Sequence, residues 1–151
     1  MREKIRPGLS RTESISDVRK HVSQWREARE TIALVPTMGN LHEGHLSLIR
    51  LASQHARRVI CSIFINPTQF RDGEDYISYP RTLQKDKKKL DAQGLVDLLF
   101  CPSEQDIYPL GTGTSVEIRV PGLSSELCGA TRPGHFSGVA SVVCRLLNIT
   151  M

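Results

Sequence analysis

Apolar residues recur along this chain with two alternating periods. Behind Ser14-x-x-Asp17, which resembles a capping box, Val18, Val22 and Trp25 repeat at helical spacing through about Arg29. Thr31–Pro36 is an apolar run closed by proline and reads as the first strand. From Glu43 to His55, Leu46, Ile49 and Ala52 form one helix face. Leu48 and Leu51 widen it, so the pattern predicts a helix covered on two sides. Arg58–Ile65 is nearly continuous and β-branched, as in a central parallel strand buried on both faces. A charged helix follows over Leu83–Gln93 with Gly94 as its stop, then a third parallel-type strand over Leu95–Phe100. Ser115–Val120 alternates like an edge strand, and a short helix is expected over Leu123–Cys128. A closing helix carries Val139, Val142, Val143, Leu146 and Leu147 on one face. Residues 1–13 are expected to be irregular, and the sequence stops at Asn148-Ile-Thr-Met151, where another strand is expected. The order predicts one α/β domain over 1–151, a Rossmann-like parallel sheet with helices on both faces.

Candidate chemistry concentrates where the first strand meets the next helix. Met38-Gly-Asn-Leu-His-Glu-Gly-His45 combines a glycine turn with two histidines at the helix start. Strand–turn–helix junctions present backbone N–H groups and a positive dipole end to anions. Residues three apart share a helix face, so His42 and His45 can address the same ligand. The dipole favours neutral imidazoles, which donate to phosphoryl oxygens. Gly39 and Gly44 are expected to let a nucleotide approach the backbone. The turn is not a P-loop or dinucleotide fingerprint. Two histidines with no nearby cysteine or third histidine make a poor zinc site.

Asn66 and Gln69 lie just past the second strand, at the strand end where open α/β sheets bind ligands. Amides suit a substrate carrying hydroxyl and carboxylate groups; tying the backbone of their own Pro67 turn is an equal alternative. The acidic, glycine-bearing stretch through Asp75 reads as a mobile flap.

The net charge of +4 is spread along the chain and suits small anions as well as nucleic acid, so it decides nothing, and no nucleic-acid partner is expected. Lys85 and Lys87–Lys89 read as a solvated helix face. Cys61, Cys101, Cys128 and Cys144 form no C-x-x-C pair and read as reduced, buried thiols. With no membrane-length apolar stretch and no signal-like N-terminus, the expected location is cytoplasmic.

Four segments in order resemble the pantothenate synthetase (pantoate–β-alanine ligase) family. They are Val35-Pro-Thr-Met-Gly-Asn-Leu-His-Glu-Gly-His45, Ile63-Phe-Ile-Asn-Pro-Thr-Gln-Phe70, Tyr79-Pro-Arg-Thr82 and Arg132-Pro-Gly-His-Phe-Ser-Gly-Val139. The resemblance implies a nucleotidyltransferase fold of the H-x-G-H type. It also implies ATP-dependent joining of pantoate to β-alanine through a pantoyl adenylate, releasing AMP and pyrophosphate. Mg²⁺ and a homodimer come with the family, without identified metal ligands. By the same resemblance, Met38, Gly39, Asn40, Leu41, His42, Glu43, Gly44 and His45 bind ATP. His45 is the proton donor, with His42 beside it at the phosphates. Gln69 binds pantoate and β-alanine, with Asn66 and Met38 beside pantoate. Arg71 stands where the family usually has glycine, and Ser141 and Arg145 replace threonine and lysine. The family continues with a Gly-Glu-Lys-Asp-Tyr-Gln-Gln segment, a Ser-Ser-Arg-Asn loop and a small C-terminal domain. This chain therefore resembles the first half only, and weak or no activity is expected of it alone. The alternatives are another H-x-G-H adenylyl- or cytidylyltransferase and a non-catalytic nucleotide-binding fragment. Arg132 and His135 are expected to cap the closing helix rather than touch substrate.

Overall fold

The structure is a computed structural model, and it describes residues 8–70, 76–122 and 132–151. Its sheet has four parallel strands in the order β1-β4-β3-β2: β1 (Ser10–Thr12), β2 (Ile32–Thr37), β3 (Arg58–Ile63) and β4 (Leu98–Phe100). The helices are α1 (Ile15–Glu27), α2 (Glu43–His55), α3 (Leu83–Gln93), the short α4 (Glu104–Ile107) and the closing α5 (His135–Thr150).

Strand residues point alternately to opposite sheet faces, so each central strand feeds two cores. Ile60, Leu98 and Phe100 pack with Val18, Val22 and Trp25 of α1 and Val142, Leu146 and Ile149 of α5. Val59, Cys61 and Leu99 pack with Ile49 of α2 and Leu90 of α3. Helices therefore cover both faces, as the continuous apolar run of β3 requires.

Several expectations need correction. Residues 10–12 are not irregular: they pair with β4, Ser10 opposite Leu98 and Thr12 opposite Phe100. This edge strand is short and polar, so no apolar pattern announces it. β3 ends at Ile63 and β4 starts at Leu98. Ahead of β4, Asp97 turns its carboxylate to the Val59 amide at 2.8 Å. α2 is covered on one side only, since Leu48 and Leu51 are 52% and 50% exposed. Residues 115–120 alternate in sequence only: Val116 and Val120 are 75% and 40% exposed, and the segment pairs with no strand among the described residues. α5 holds them instead, with Ile118 N–H donating to Ser141 Oγ at 2.8 Å and Arg145 Nη2 to the Val116 carbonyl at 3.3 Å. Cys61 is buried, but Cys101 is only partly buried and Cys144 is exposed. The expected helix over Leu123–Cys128, the flap through Asp75, Arg71 and Cys128 lie outside the described residues.

Candidate functional site

The loop after β2 is built around a buried carboxylate. Thr37 Oγ1 donates to the Ser62 carbonyl at 2.8 Å and accepts the Gly39 N–H at 3.2 Å. Gly39 and Asn40 then both take left-handed backbone conformations, φ 83° and 50°, which reverse the chain. Asp86 of α3, 1% exposed, accepts Asn40 N–H at 2.9 Å, Leu41 N–H at 2.8 Å and Thr82 Oγ1 at 2.9 Å. From the same helix Lys89 Nζ donates to the Leu41 carbonyl. The expected solvated lysine face is therefore partly an anchor for this turn.

This geometry corrects the picture of a turn whose amides face a phosphate. The N–H groups of residues 39–41 are all taken internally, two of them by a charged acceptor. Nor do the glycines stand open. A Cβ at Gly39 would lie 3.2 Å from Asp86 Oδ2, and one at Gly44 2.9 Å from His42 Cε1. The missing side chains make room for protein groups.

The histidines supply the donors instead. His42 is the N-cap of α2, and its Nδ1 accepts the Gly44 N–H at 3.1 Å. His45 Nδ1 reaches back to accept the His42 N–H at 3.4 Å, so the pair forms a capping box made of imidazoles. A nitrogen that accepts a backbone N–H carries no proton, so each neutral ring holds its proton on Nε2. The rings lie 4.1 Å apart at 46°. Burial holds the His45 imidazole below its ordinary value of 6.5; His42 pushes the same way and Asp86 opposes. Two adjacent Nε2–H donors thus stand at a helix N-terminus, where the dipole adds attraction for anions. Glu43, in the first turn, is engaged by Arg50.

Past β3, a 3₁₀ turn over Pro67–Gln69 carries the second candidate group. Asn66, 1% exposed, is fully used inside the protein. Its Oδ1 accepts Tyr108 OH at 2.8 Å and Thr68 Oγ1 at 3.0 Å; its Nδ2 donates to Gln69 Oε1 at 3.0 Å and the Gly138 carbonyl at 3.2 Å. The self-tying alternative thus describes Asn66, whereas Gln69 Nε2 has no partner among the described residues.

Met38, His45, Asn66 and Gln69 all line one cavity of about 240 Å³, together with Tyr79 and an apolar wall of Val139, Val142, Val143 and Leu146. His42 is not on it. A second cavity of about 300 Å³ lies on the other side of Met38 and Phe64, bordered by Arg81, Asp86 and Glu104. Among the described residues no group of three or more His, Cys, Asp or Glu side chains is placed to hold a metal ion. Cys61 offers no nucleophile, because burial pushes its thiol up to about 12. No described helix is long and apolar enough to cross a membrane.

Sequence reasoning missed Asp86, Tyr108 and the valine wall. Asp86 had a signal: it sits on the apolar stripe Leu83–Asp86–Leu90, where an acid must find buried donors. The valines looked like core, and Val142 and Leu146 are indeed core residues whose outer edge also borders the cavity. The N-cap of α5 is Gly134, with no side-chain cap, and the Arg132 carbonyl accepts the His135 N–H at 3.1 Å, whereas the His135 side chain points elsewhere. His135 Nδ1 instead bonds the Gln69 carbonyl at 2.9 Å.

Known proteins resemble this chain in sequence and in fold. Residues 10–151 match the family model described as pantoate-beta-alanine ligase. A pantothenate synthetase of Shewanella loihica is 53% identical over 138 residues, covering 91% of this chain and 49% of that protein. The crystal structure of pantothenate synthetase from Thermus thermophilus superposes with a TM-score of 0.83 at 42% identity, over 93% of this chain and 49% of that one. The Francisella tularensis pantoate-beta-alanine ligase, solved with beta-gamma ATP and β-alanine, gives 0.83 at 43% identity over 94% and 53%. The chain spans about half the length of the curated relatives it matches. By its matched residues and its fold, the chain belongs to the pantoate–β-alanine ligase family.

Proposed function

We propose that this chain is the ATP- and pantoate-binding half of a ligase that joins pantoate to β-alanine. The observation that carries the proposal is the meeting of His45 and Gln69 on one cavity beside the α2 N-terminus. ATP lies along residues 38–45, with His42 and His45 donating from Nε2 to its phosphate oxygens. Pantoate occupies the cavity, its methyl groups against the valine wall and its polar groups at Gln69 and Met38. Asn66 acts there by holding Gln69.

The chemical difficulty is an anion attacking an anion. Orientation and preorganised donors are what an enzyme supplies. The pantoate carboxylate oxygen attacks the α-phosphorus of ATP; an acyl–O–P bond forms, the bond to the β-phosphate oxygen breaks, and pyrophosphate leaves. The Nε2–H donors offset the charge gathering on the phosphate oxygens, His45 by a hydrogen bond from the position that the resemblance gives to a proton donor. The β-alanine amine then attacks the acyl carbonyl, the amide forms as the nitrogen gives up one proton to solvent, and AMP leaves with the bonding pair. Mg²⁺ accompanies the phosphates of ATP, and no described residue is assigned to it. A homodimer and a cytoplasmic setting complete the proposal.

Pantoate-dependent exchange of labelled pyrophosphate into ATP tests it, on this chain and on the chain joined to the second half of a relative. The expected result is exchange with pantoate, weak or absent in the chain alone. Exchange driven only by another acid or by a phosphorylated alcohol would favour a different H-x-G-H transferase.

A further inference from the structure

The first turn of α5 lies against the 3₁₀ turn that carries Gln69, closer than side chains allow. A Cβ built at Gly138 would sit 2.4 Å from the Thr68 carbonyl oxygen and 2.9 Å from the Gln69 nitrogen. Only glycine fits there without a shift of one backbone against the other. Two hydrogen bonds run across the contact, and a third within the turn is tied to them. His135 Nδ1 meets the Gln69 carbonyl at 2.9 Å. Asn66 Nδ2 meets the Gly138 carbonyl at 3.2 Å and Gln69 Oε1 at 3.0 Å.

The polarity of this network is fixed by backbone groups. The Gly138 carbonyl only accepts, so the Asn66 atom facing it is the amide nitrogen. The Thr68 N–H, 3.4 Å from the other Asn66 atom, only donates, so that atom is oxygen. The second hydrogen on Asn66 Nδ2 then requires an oxygen from Gln69, leaving Gln69 with its NH₂ end unclaimed among the described residues. The Gln69 carbonyl likewise requires His135 to carry its proton on Nδ1, the opposite tautomer to His42 and His45.

We propose that the start of α5 is a latch that presents Gln69 to the acid substrate as a hydrogen-bond donor. His135 is a positioning residue in it and Gly138 its point of contact. The inference rests on the proposal that Gln69 takes pantoate. It adds that the site offers that acid an N–H rather than a carbonyl, matching a carboxylate or hydroxyl oxygen. It also ties the valine wall and Gln69 to one helix, so they move as a unit.

The test compares this chain with His135→Ala and His135→Asn, because the Asn amide can replace the Nδ1–H donor but cannot titrate. The side-chain NH₂ and backbone N–H signals of Gln69 are followed by ¹⁵N NMR, first without ligand and then through a pantoate titration. His135→Ala is expected to shift the free Gln69 signals and weaken pantoate about three- to tenfold, the worth of one hydrogen bond. His135→Asn is expected to restore both while thermal stability stays level across the three proteins. Unchanged Gln69 signals in His135→Ala, or equal losses in both variants, would overturn the latch. A wild-type chain whose spectrum ignores pantoate would instead overturn the assignment of the substrate, and the ligand-free signals would still decide whether the latch exists.

Discussion

Leu41 and Asp86, 45 residues apart in sequence, are joined by a 2.8 Å hydrogen bond from the Leu41 amide to Oδ1. With the Asn40 amide on Oδ2, this bond makes a buried carboxylate the organiser of a turn whose family resemblance points to binding an anion. The turn's amides are thus structural, which leaves the imidazoles as the groups proposed to meet the phosphates. Asp86→Asn replaces one acceptor oxygen by an N–H facing another N–H. The expected loss is about 2–3 kcal/mol of unfolding free energy, read from urea midpoints. The Asn40 and Leu41 amide signals should shift with it. A variant as stable as the wild type would show that the turn does not depend on the carboxylate.

Protonation of His45 should act against the fold. Its Nδ1 is occupied by a backbone N–H, and its folded pKa lies below 6.5, mainly through burial. The unfolded chain therefore takes up the proton first as pH falls. The His45 contribution is complete above about pH 6.5 and declines as pH drops below that value toward the folded pKa. Imidazole signals in the folded chain should titrate with a midpoint under 6.5 for His45. A midpoint at or above that value would contradict the capping geometry.

Gln69 is partly exposed, and its side chain holds no core together. Gln69→Ala removes the acceptor of one hydrogen on the buried Asn66 amide and should cost about 1 kcal/mol or more of stability, while lowering pantoate affinity roughly tenfold or more, as expected for a hydrogen bond to a charged group. Calorimetric titration of this chain checks it. Equal affinities would remove Gln69 from the acid site.

At the amino ends of the strands, Arg58 bonds Glu30 at 2.6 Å and Asp97 at 3.1 Å and lies 5.4 Å from the Trp25 ring centre. This cluster is remote from the strand ends that carry the candidate site, so its role should be structural. Arg58→Ala removes a cation from the buried Asp97 carboxylate and from Glu30 and should cost about 3 kcal/mol of stability. ATP affinity measured well below the melting temperature should stay the same. A loss of affinity at unchanged stability would reverse that assignment.

Much of the sheet could be read from the chain because β3 is buried on both faces and α1 and α5 carry clean apolar stripes. β1 could not, since an edge strand needs only backbone pairing. The 115–120 segment shows the converse: its letters alternate, but Val116 and Val120 stand exposed and what lies beside the segment is α5 and not a strand. In the site, the histidine pair was legible from spacing at a helix start. The use of the Asn40 and Leu41 amides was not, because Asp86 reaches them only through the packing of α3 beside the turn. His135 was harder still. Its partner is a backbone carbonyl 66 positions away, brought within reach by the absence of a Cβ at Gly138.

The most direct test of the central claim is calorimetric titration of ATP into this chain and into the His42→Asn, His45→Asn double variant. Asparagine oxygens can keep the capping acceptors of α2 while the two Nε2–H donors are removed. The expected result is ATP binding by the wild-type chain, weakened roughly tenfold or more in the double variant at similar thermal stability. Equal ATP affinity in the two folded proteins would contradict the assignment of the imidazoles to the phosphates.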